Sequence, residues 1–460
     1  MKRIAILTAG GDTPALNATL FGAVERANQL RLEVFGLLQG FGSLYDPKLP
    51  HIHLNPLFCT IPELDPTHGG TILGASRDYL GGADAATLDG MCQRLSRLGI
   101  EGLVCVGGDG TFNGMQPLCD RLPAVLAPKT IDNDLGLNYP GEIDDWVRTP
   151  SADGTEFTYT RREACEAFSL EGMVNYVTPG YATAVFVAAG GVERVRTTAE
   201  SHRRIAIIEA MGRQSGYLAL GAAYGRPDLV LVPERPLDVQ RLVERVKEIY
   251  DHQQNVVIVC GEGIVDAQGN ELGTVSPTTD PAGNVRLSGA AEMLRELLIA
   301  KLGDDFFRAV RRIESAREAV FTRKVGHTQR GGRPLAFDRF YAGQLGGKAV
   351  DMLLDGRNNE LAVLQWSEKR GFYVDGVPSR AFRDRWGLIH PRRMHPSFYD
   401  ERRMQPSAVG IEYLLPIFTN AIGPDDVEHV RHTLFDSGNL TRRYHSINVD
   451  VARRVRRLGE

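Results

Sequence analysis

Seven short apolar runs punctuate the first 260 residues, at 3–7, 34–38, 102–106, 124–127, 205–208, 229–232 and 256–259. Each is apolar at nearly every position, not at alternate ones, the pattern of strands covered on both faces. Between them lie stretches with helical spacing, such as 85–98 and 237–250, and Asp84 stands where it can cap the first of these. Strand and helix in alternation predict α/β layers around a largely parallel sheet. Two regions break the rhythm. Residues 135–179 carry several Pro, Gly and Asp residues and predict a long loop with one short helix near Arg161 to Phe168. A loop of that size is usually a lid, a binding loop or an interface element. From about residue 360 the strand signals fade, and Arg, His and aromatic residues become more frequent.

In parallel sheets ligands sit beyond the carboxyl ends of the strands. Polar clusters follow three of the predicted strands, and a fourth cluster lies between two of them. GGDTPALN at 10–17 places two glycines between a strand and a helix, a turn whose N–H groups can face an anion. It has neither GK[ST] nor GxGxxG, so a plain tight turn is the equal alternative. GGTILGASR at 69–77 ends on Arg77, which beside a phosphate could stabilise charge on a transferring phosphoryl group, and alone would be a surface arginine. GGDGT at 107–111 sets Asp109 among glycines, able to hold Mg²⁺ while phosphates approach the backbone, or simply to cap a helix. PKTIDND at 128–134 carries Asp132 and Asp134 two residues apart, on one side of an extended segment. One can take a proton from an attacking hydroxyl while the other orients it, and the alternative is a pair of solvated turn acids.

Composition narrows the class. At 460 residues the chain exceeds one ordinary core, so two or three lobes are expected. A net charge of -4 gives no general attraction to nucleic acid. The basic end, Arg453, Arg454, Arg456 and Arg457, fits a solvated terminal helix. No stretch approaches the ~20 apolar residues that cross a membrane, and the N-terminal run is too short for a signal peptide, so a cytoplasmic location is expected. The six cysteines form no C-x-x-C pair, and buried free thiols are expected.

Taken in order, GGDTPALNA, GGTILGASR, GGDGT and PKTIDND resemble the 6-phosphofructokinase family, as do SHRRI at 201–205, EAMGR at 209–213, Gly261-Glu262 and VGHTQRGG at 325–332. The resemblance implies two similar Rossmann-like lobes with mainly parallel sheets and the active site in the cleft between them. The expected divisions are an N-terminal nucleotide and phosphate lobe at 1–134, an inserted loop at 135–179, a sugar-phosphate lobe at 180–355 and an extension at 356–460. It further implies that Gly11, Arg77, Gly108, Asp109, Gly110, Thr111 and Lys129 surround the nucleotide phosphates, with Asp109 on Mg²⁺. Asp132 becomes the base for the sugar 1-hydroxyl, with Thr130, Asp134 and Arg77 assisting. Met211, Gly212 and Arg213 frame the sugar phosphate, and Glu262 accepts from its hydroxyls. His327 and Arg330 grip its 6-phosphate, and Arg204 reaches it from a neighbouring subunit of a homodimer or homotetramer.

The implied reaction is ATP-dependent phosphorylation of fructose 6-phosphate at its 1-hydroxyl. Two positions bear on the donor. Glycine at Gly110 resembles the users of ATP, since an aspartate there would repel the α-phosphate of a nucleotide, whereas Lys129 resembles the users of pyrophosphate. Departures from the family keep the acceptor open. Phe321 stands where bacterial members place a phosphate-binding arginine, with Arg317 or Arg323 as substitutes, and the 135–179 loop and the long C-terminus are extra. A pyrophosphate-dependent enzyme, a kinase for another sugar phosphate such as sedoheptulose 7-phosphate, and a non-catalytic sugar-phosphate sensor are the alternatives. The extension is expected to pack over a subunit interface or the sugar site.

Overall fold

The computed structural model describes residues 1–151, 157–162, 168–279, 285–287, 289–310 and 315–459. Arg3–Thr8 pairs in parallel with Glu33–Leu37 on one side and with Gly102–Gly107 on the other, and Ala124–Pro128 extends the parallel set. Its side chains alternate between two cores. Ile4 and Ile6 face the helices Leu16–Gln29 and Ala336–Leu354, while Ala5 and Leu7 face Ala85–Arg97 and Asp109–Cys119. Both faces are therefore covered, which is why the run needs no polar position. Asp84 caps Ala85–Arg97 by accepting from the Thr87 N–H at 2.7 Å. Asp238 caps Val239–Gln253 in the same way, through Arg241.

A second sheet holds Val320–Lys324, Ile205–Ala210, Val256–Gly261 and Leu229–Leu231, all parallel. One of its faces shares the first lobe's core through Ala206, Ile208, Val257 and Val259. The other packs on Val239–Gln253 and Ala290–Val310. The mixed α/β architecture with two mainly parallel sheets is the one expected. Among the described residues no helix is long and apolar enough to cross a membrane. Cys105, Cys119 and Cys260 are buried free thiols as expected; Cys92 is half-buried and Cys59 is exposed, and Cys165 lies outside the described residues.

The chain after the second lobe differs from the sequence expectation. The sequence predicts fading strand content from about residue 360, yet Glu360–Ser367 and Gly371–Pro378 form a strand pair. Glu360–Ser367 runs parallel to Ala124–Pro128, so the first sheet has seven strands, with 371–378 at one edge and His51–His53 at the other. The helix Ala336–Leu354 also returns, tied to Leu16–Gln29 by Arg26 and Asp351 at 2.6 Å. Residues 135–179 are not a plain loop either. Trp146–Pro150 and Phe157–Arg161 form an antiparallel hairpin; Arg161 ends a strand, and the rest of the short helix expected there lies mainly outside the described residues. The hairpin packs on the C-terminal region, with Trp146 stacked on His390 at 3.9 Å and Tyr159 edge-on to Trp386. Arg161 and Glu142 form a buried ion pair at 2.5 Å at its base. The two departures from the regular pattern are thus one packed unit.

Candidate active site

The first sheet ends at an open cleft lined by Gly11, Arg77, Gly108, Asp109, Gly110, Thr111, Lys129, Thr130, Asp132, Asp134, Arg213 and Arg330. Twelve residues singled out in the sequence meet there, from both lobes. Each is held by local backbone logic. Ala9 and Gly10 bond to Val106 and to Ser76, which lays the 69–77 segment along the first strand's end. Asn17, fully buried, accepts from the Ile72 N–H and donates to the His68 carbonyl, fixing that segment to the helix that follows the first turn. Asp109 opens the helix Asp109–Cys119, where the unpaired N–H groups and the macrodipole favour anions.

The Asp132 turn is buried. Thr130 Oγ1 accepts from the Asp132 N–H at 3.0 Å. Asn133 has φ +56°, a left-handed conformation that asparagine tolerates better than most residues. One carboxylate oxygen of Asp132 and one of Asp134 are buried with no hydrogen-bond partner among the described residues. Such groups are costly unless a ligand satisfies them. Burial, with the nearby charges of Asp109 and Asp132, pushes the Asp134 carboxyl up to about 7. Burial and the charge of Asp132 do the same to Glu262, also to about 7. Lys129 is moved the opposite way, down to about 7, by burial and by Arg330. Its ammonium donates to the Gly11 carbonyl beneath the first turn. Clusters of perturbed groups in a cleft mark functional sites more often than structural ones.

The second lobe supplies the cations. Arg213 sits at φ +51° with its N–H donating to Glu262 Oε1 at 3.1 Å. A Cβ on Gly263 would lie 2.1 Å from the Arg213 carbonyl, so only glycine permits that approach. Arg330 reaches across to Asp132, 3.8 Å away, and to the Asp12 carbonyl. The lobes touch here backbone to backbone, since a Cβ on Gly69 would lie 1.9 Å from the Gly332 carbonyl.

The remaining sequence candidates fall outside the cleft lining. Met211 donates its N–H to Gln329, and Gly212, at φ +133°, turns the chain into Arg213. Glu262 touches the cleft through Arg213. His327 is exposed on the one-turn helix Gly326–Gln329 that precedes Arg330. Arg204 stands at the opposite end of Ile205–Ala210, about 20 Å from Met211 at strand spacing. Phe321 packs half-buried against the core, and Arg317 is engaged with Glu296. The cation that this strand brings near Glu262 is Lys324, which also pairs with Glu209 at 2.9 Å. Phe41, Asp78 and Tyr79 line the cleft and were not singled out; the last two directly follow Arg77, which was the available signal. None of residues 135–179 lines the cleft among the described residues.

The phosphofructokinase family model matches residues 3–138 and 173–353. The chain belongs to the phosphofructokinase family. An ATP-dependent 6-phosphofructokinase 2 of Streptomyces coelicolor is 32% identical over 375 residues, 80% of this chain and 92% of that protein. A pyrophosphate–fructose 6-phosphate 1-phosphotransferase of Amycolatopsis methanolica is 31% identical over 372 residues, 80% and 91%. The crystal structure of a pyrophosphate-dependent phosphofructokinase from Nitrosospira multiformis shares the fold, with a TM-score of 0.68, 15% identity and 92% of each chain covered. The family match omits 139–172 and everything after 353, the two regions that pack together here. Phosphofructokinases are phosphotransferases, and the cleft's pairing of an anion-binding helix start with a buried carboxylate suits that class.

Proposed function

We propose that this phosphofructokinase transfers the γ-phosphoryl group of ATP, bound as its Mg²⁺ complex, to the 1-hydroxyl of fructose 6-phosphate. One observation carries the proposal: the unpartnered, buried Asp132 oxygen lies at the junction of the phosphate-binding turns and the cationic second lobe. A carboxylate so placed can accept the hydroxyl proton as the oxygen attacks phosphorus. Thr130 holds the Asp132 backbone, and Asp134 stands alongside. Gly11, Gly108 and Thr111 offer a close backbone approach to phosphate oxygens, and Arg77 balances charge that develops on them. Arg213, Met211 and Gly212 frame the sugar phosphate, Glu262 takes its hydroxyls, and His327 and Arg330 bind the 6-phosphate. Arg204, remote from this chain's cleft, would serve a neighbouring copy in a homodimer or homotetramer.

No cluster of three metal-binding side chains occurs among the described residues. That fits Mg²⁺ carried in by the nucleotide, since this ion keeps waters and phosphates as ligands and needs only one or two carboxylates. Asp109, with the unpaired Asp134 oxygen near it, would hold the ion, which when bound neutralises phosphate charge. For the donor, Gly110 adds no side chain to the cleft, and Lys129 is spent on the Gly11 carbonyl beneath the turn. Both favour ATP. The mere presence of Lys129 favours pyrophosphate as a second choice. A cytoplasmic place fits these substrates. The test is phosphoryl transfer to fructose 6-phosphate with Mg²⁺, run with ATP and pyrophosphate in parallel. Turnover with ATP alone is expected; turnover with pyrophosphate alone would reverse the donor assignment, and none with either would remove the acceptor.

A further inference from the structure

Arg392 is 2% exposed, and the carboxylate that feels its charge, Glu142, is itself paired with Arg161. The Arg392 guanidinium donates to main-chain carbonyls instead. Nε and one terminal nitrogen reach the Asn133 carbonyl at 3.2 and 2.8 Å. The other terminal nitrogen reaches the Asn175 carbonyl at 2.8 Å. The Arg392 backbone N–H donates to the Asp134 carbonyl at 2.5 Å. The ring of Tyr217 lies 4.9 Å from the guanidinium carbon. Burying a cation without a directly bonded carboxylate is expensive, and the planar fork of arginine matches several fixed carbonyls at once.

What the fork grips is the residue between Asp132 and Asp134, in a left-handed conformation that a free loop would relax. The same segment reaches the two other parts of the cleft. Ile389 exchanges hydrogen bonds with the Asn113 side chain, on the helix that Asp109 opens, at 2.8 and 3.1 Å. The Met394 N–H donates at 2.7 Å to Glu234, a carboxylate that also accepts from the Gly216 N–H just beyond Arg213. Among the described residues none of 389–394 lines the cleft, so the segment acts on it through these bonds.

We infer that Arg392 is a positioning residue for phosphoryl transfer, clamping the Asn133 carbonyl so that Asp132 keeps its aim. The residue lies outside the span that the family model matches. The inference rests on Asp132 being the base. Arg392→Lys retains the charge but lacks the planar fork that makes three bonds to the two carbonyls. Its kcat should fall ~10- to 100-fold, the loss expected of a misplacement on the order of 1 Å. KM for fructose 6-phosphate should stay within about threefold, because the sugar contacts come from the other lobe. Arg392→Ala should lose more, and millimolar guanidinium should restore part of it. Hydrogen exchange of the amides at 130–137 should quicken in Arg392→Lys and stay unchanged in Ile205–Ala210. A folded Arg392→Lys with wild-type kcat, KM rising in step with the loss of kcat, or unaltered exchange at 130–137 would each overturn the clamp. If Arg392→Ala does not fold, the lysine variant carries the test. Absence of turnover in the wild type would overturn the assignment of Asp132 instead, while the exchange rates still decide whether Arg392 holds the turn.

Discussion

Asp134→Asn should make the protein more stable and less active. The Asp134 carboxyl is 3% exposed and is pushed from 3.8 up to about 7 by burial and by the neighbouring charges of Asp109 and Asp132. Between about pH 4 and pH 7 the folded protein therefore keeps a proton that the unfolded chain has lost. The cost of ionising Asp134 in the fold grows with pH through that window and is complete above it. At 1.36 kcal/mol per pKa unit the cost is about 4 kcal/mol at pH 8 and about 2 kcal/mol at pH 5.5. Asparagine carries no charge and escapes both. Unfolding entropy for a chain of this length is on the order of 1 kcal/mol per kelvin, so the variant should melt about 4 °C higher at pH 8 and about 2 °C higher at pH 5.5. Scanning calorimetry of both proteins without ligands measures the two differences. A shift that is equal at both pH values, or a lower melting temperature at pH 8, would refute the account of a crowded, desolvated carboxylate. The same variant should lose turnover, since the repulsion that destabilises the empty cleft is what a phosphate-bound cation relieves.

Two further outcomes follow from the same geometry. Asp132→Asn should bind both substrates nearly as the wild type does while kcat falls at least ~10²-fold, as expected for loss of a general base; steady-state kinetics with unchanged kcat would remove Asp132 from that role. Arg161→Met leaves Glu142, only 4% exposed at its side chain, buried without its cation. A loss of about 3–5 kcal/mol is expected, seen as a melting temperature lower by about 3–5 °C, and a variant that melts with the wild type would show the pair to be dispensable.

The parts of the cleft that lie at strand ends were legible in the sequence because each is local. The glycine pairs before Asp12 and Asp109, and the acids of the 128–134 segment, announce themselves within a few residues of an apolar run. What the sequence hides is contact between distant segments. Arg392 sits in HPRRMHPSF, a polar stretch that gives no sign of a buried cation, and its partners are carbonyls, which every residue has. The strands at 360–378 were missed for a related reason. Gly371–Pro378 is a sheet-edge strand only partly buried, so its pattern is mixed, and Glu360–Ser367 was masked by the charged residues around it. Lys324 could not be preferred to Arg317 or Arg323 until the strand's register with Ile205–Ala210 was known.

The return of residues 336–378 to the first sheet sets an order of events during synthesis. Ala124–Pro128 leaves the ribosome early, but its outer neighbour Glu360–Ser367 follows more than two hundred residues later. At about 5–20 residues per second the nascent chain carries that unpaired strand for roughly 12–50 seconds. The bare edge is apolar throughout, AVLAP, and is the kind of edge that other chains pair with. The first lobe is translated before the second yet closed after it, so its edge stays open to pairing with other chains through that interval.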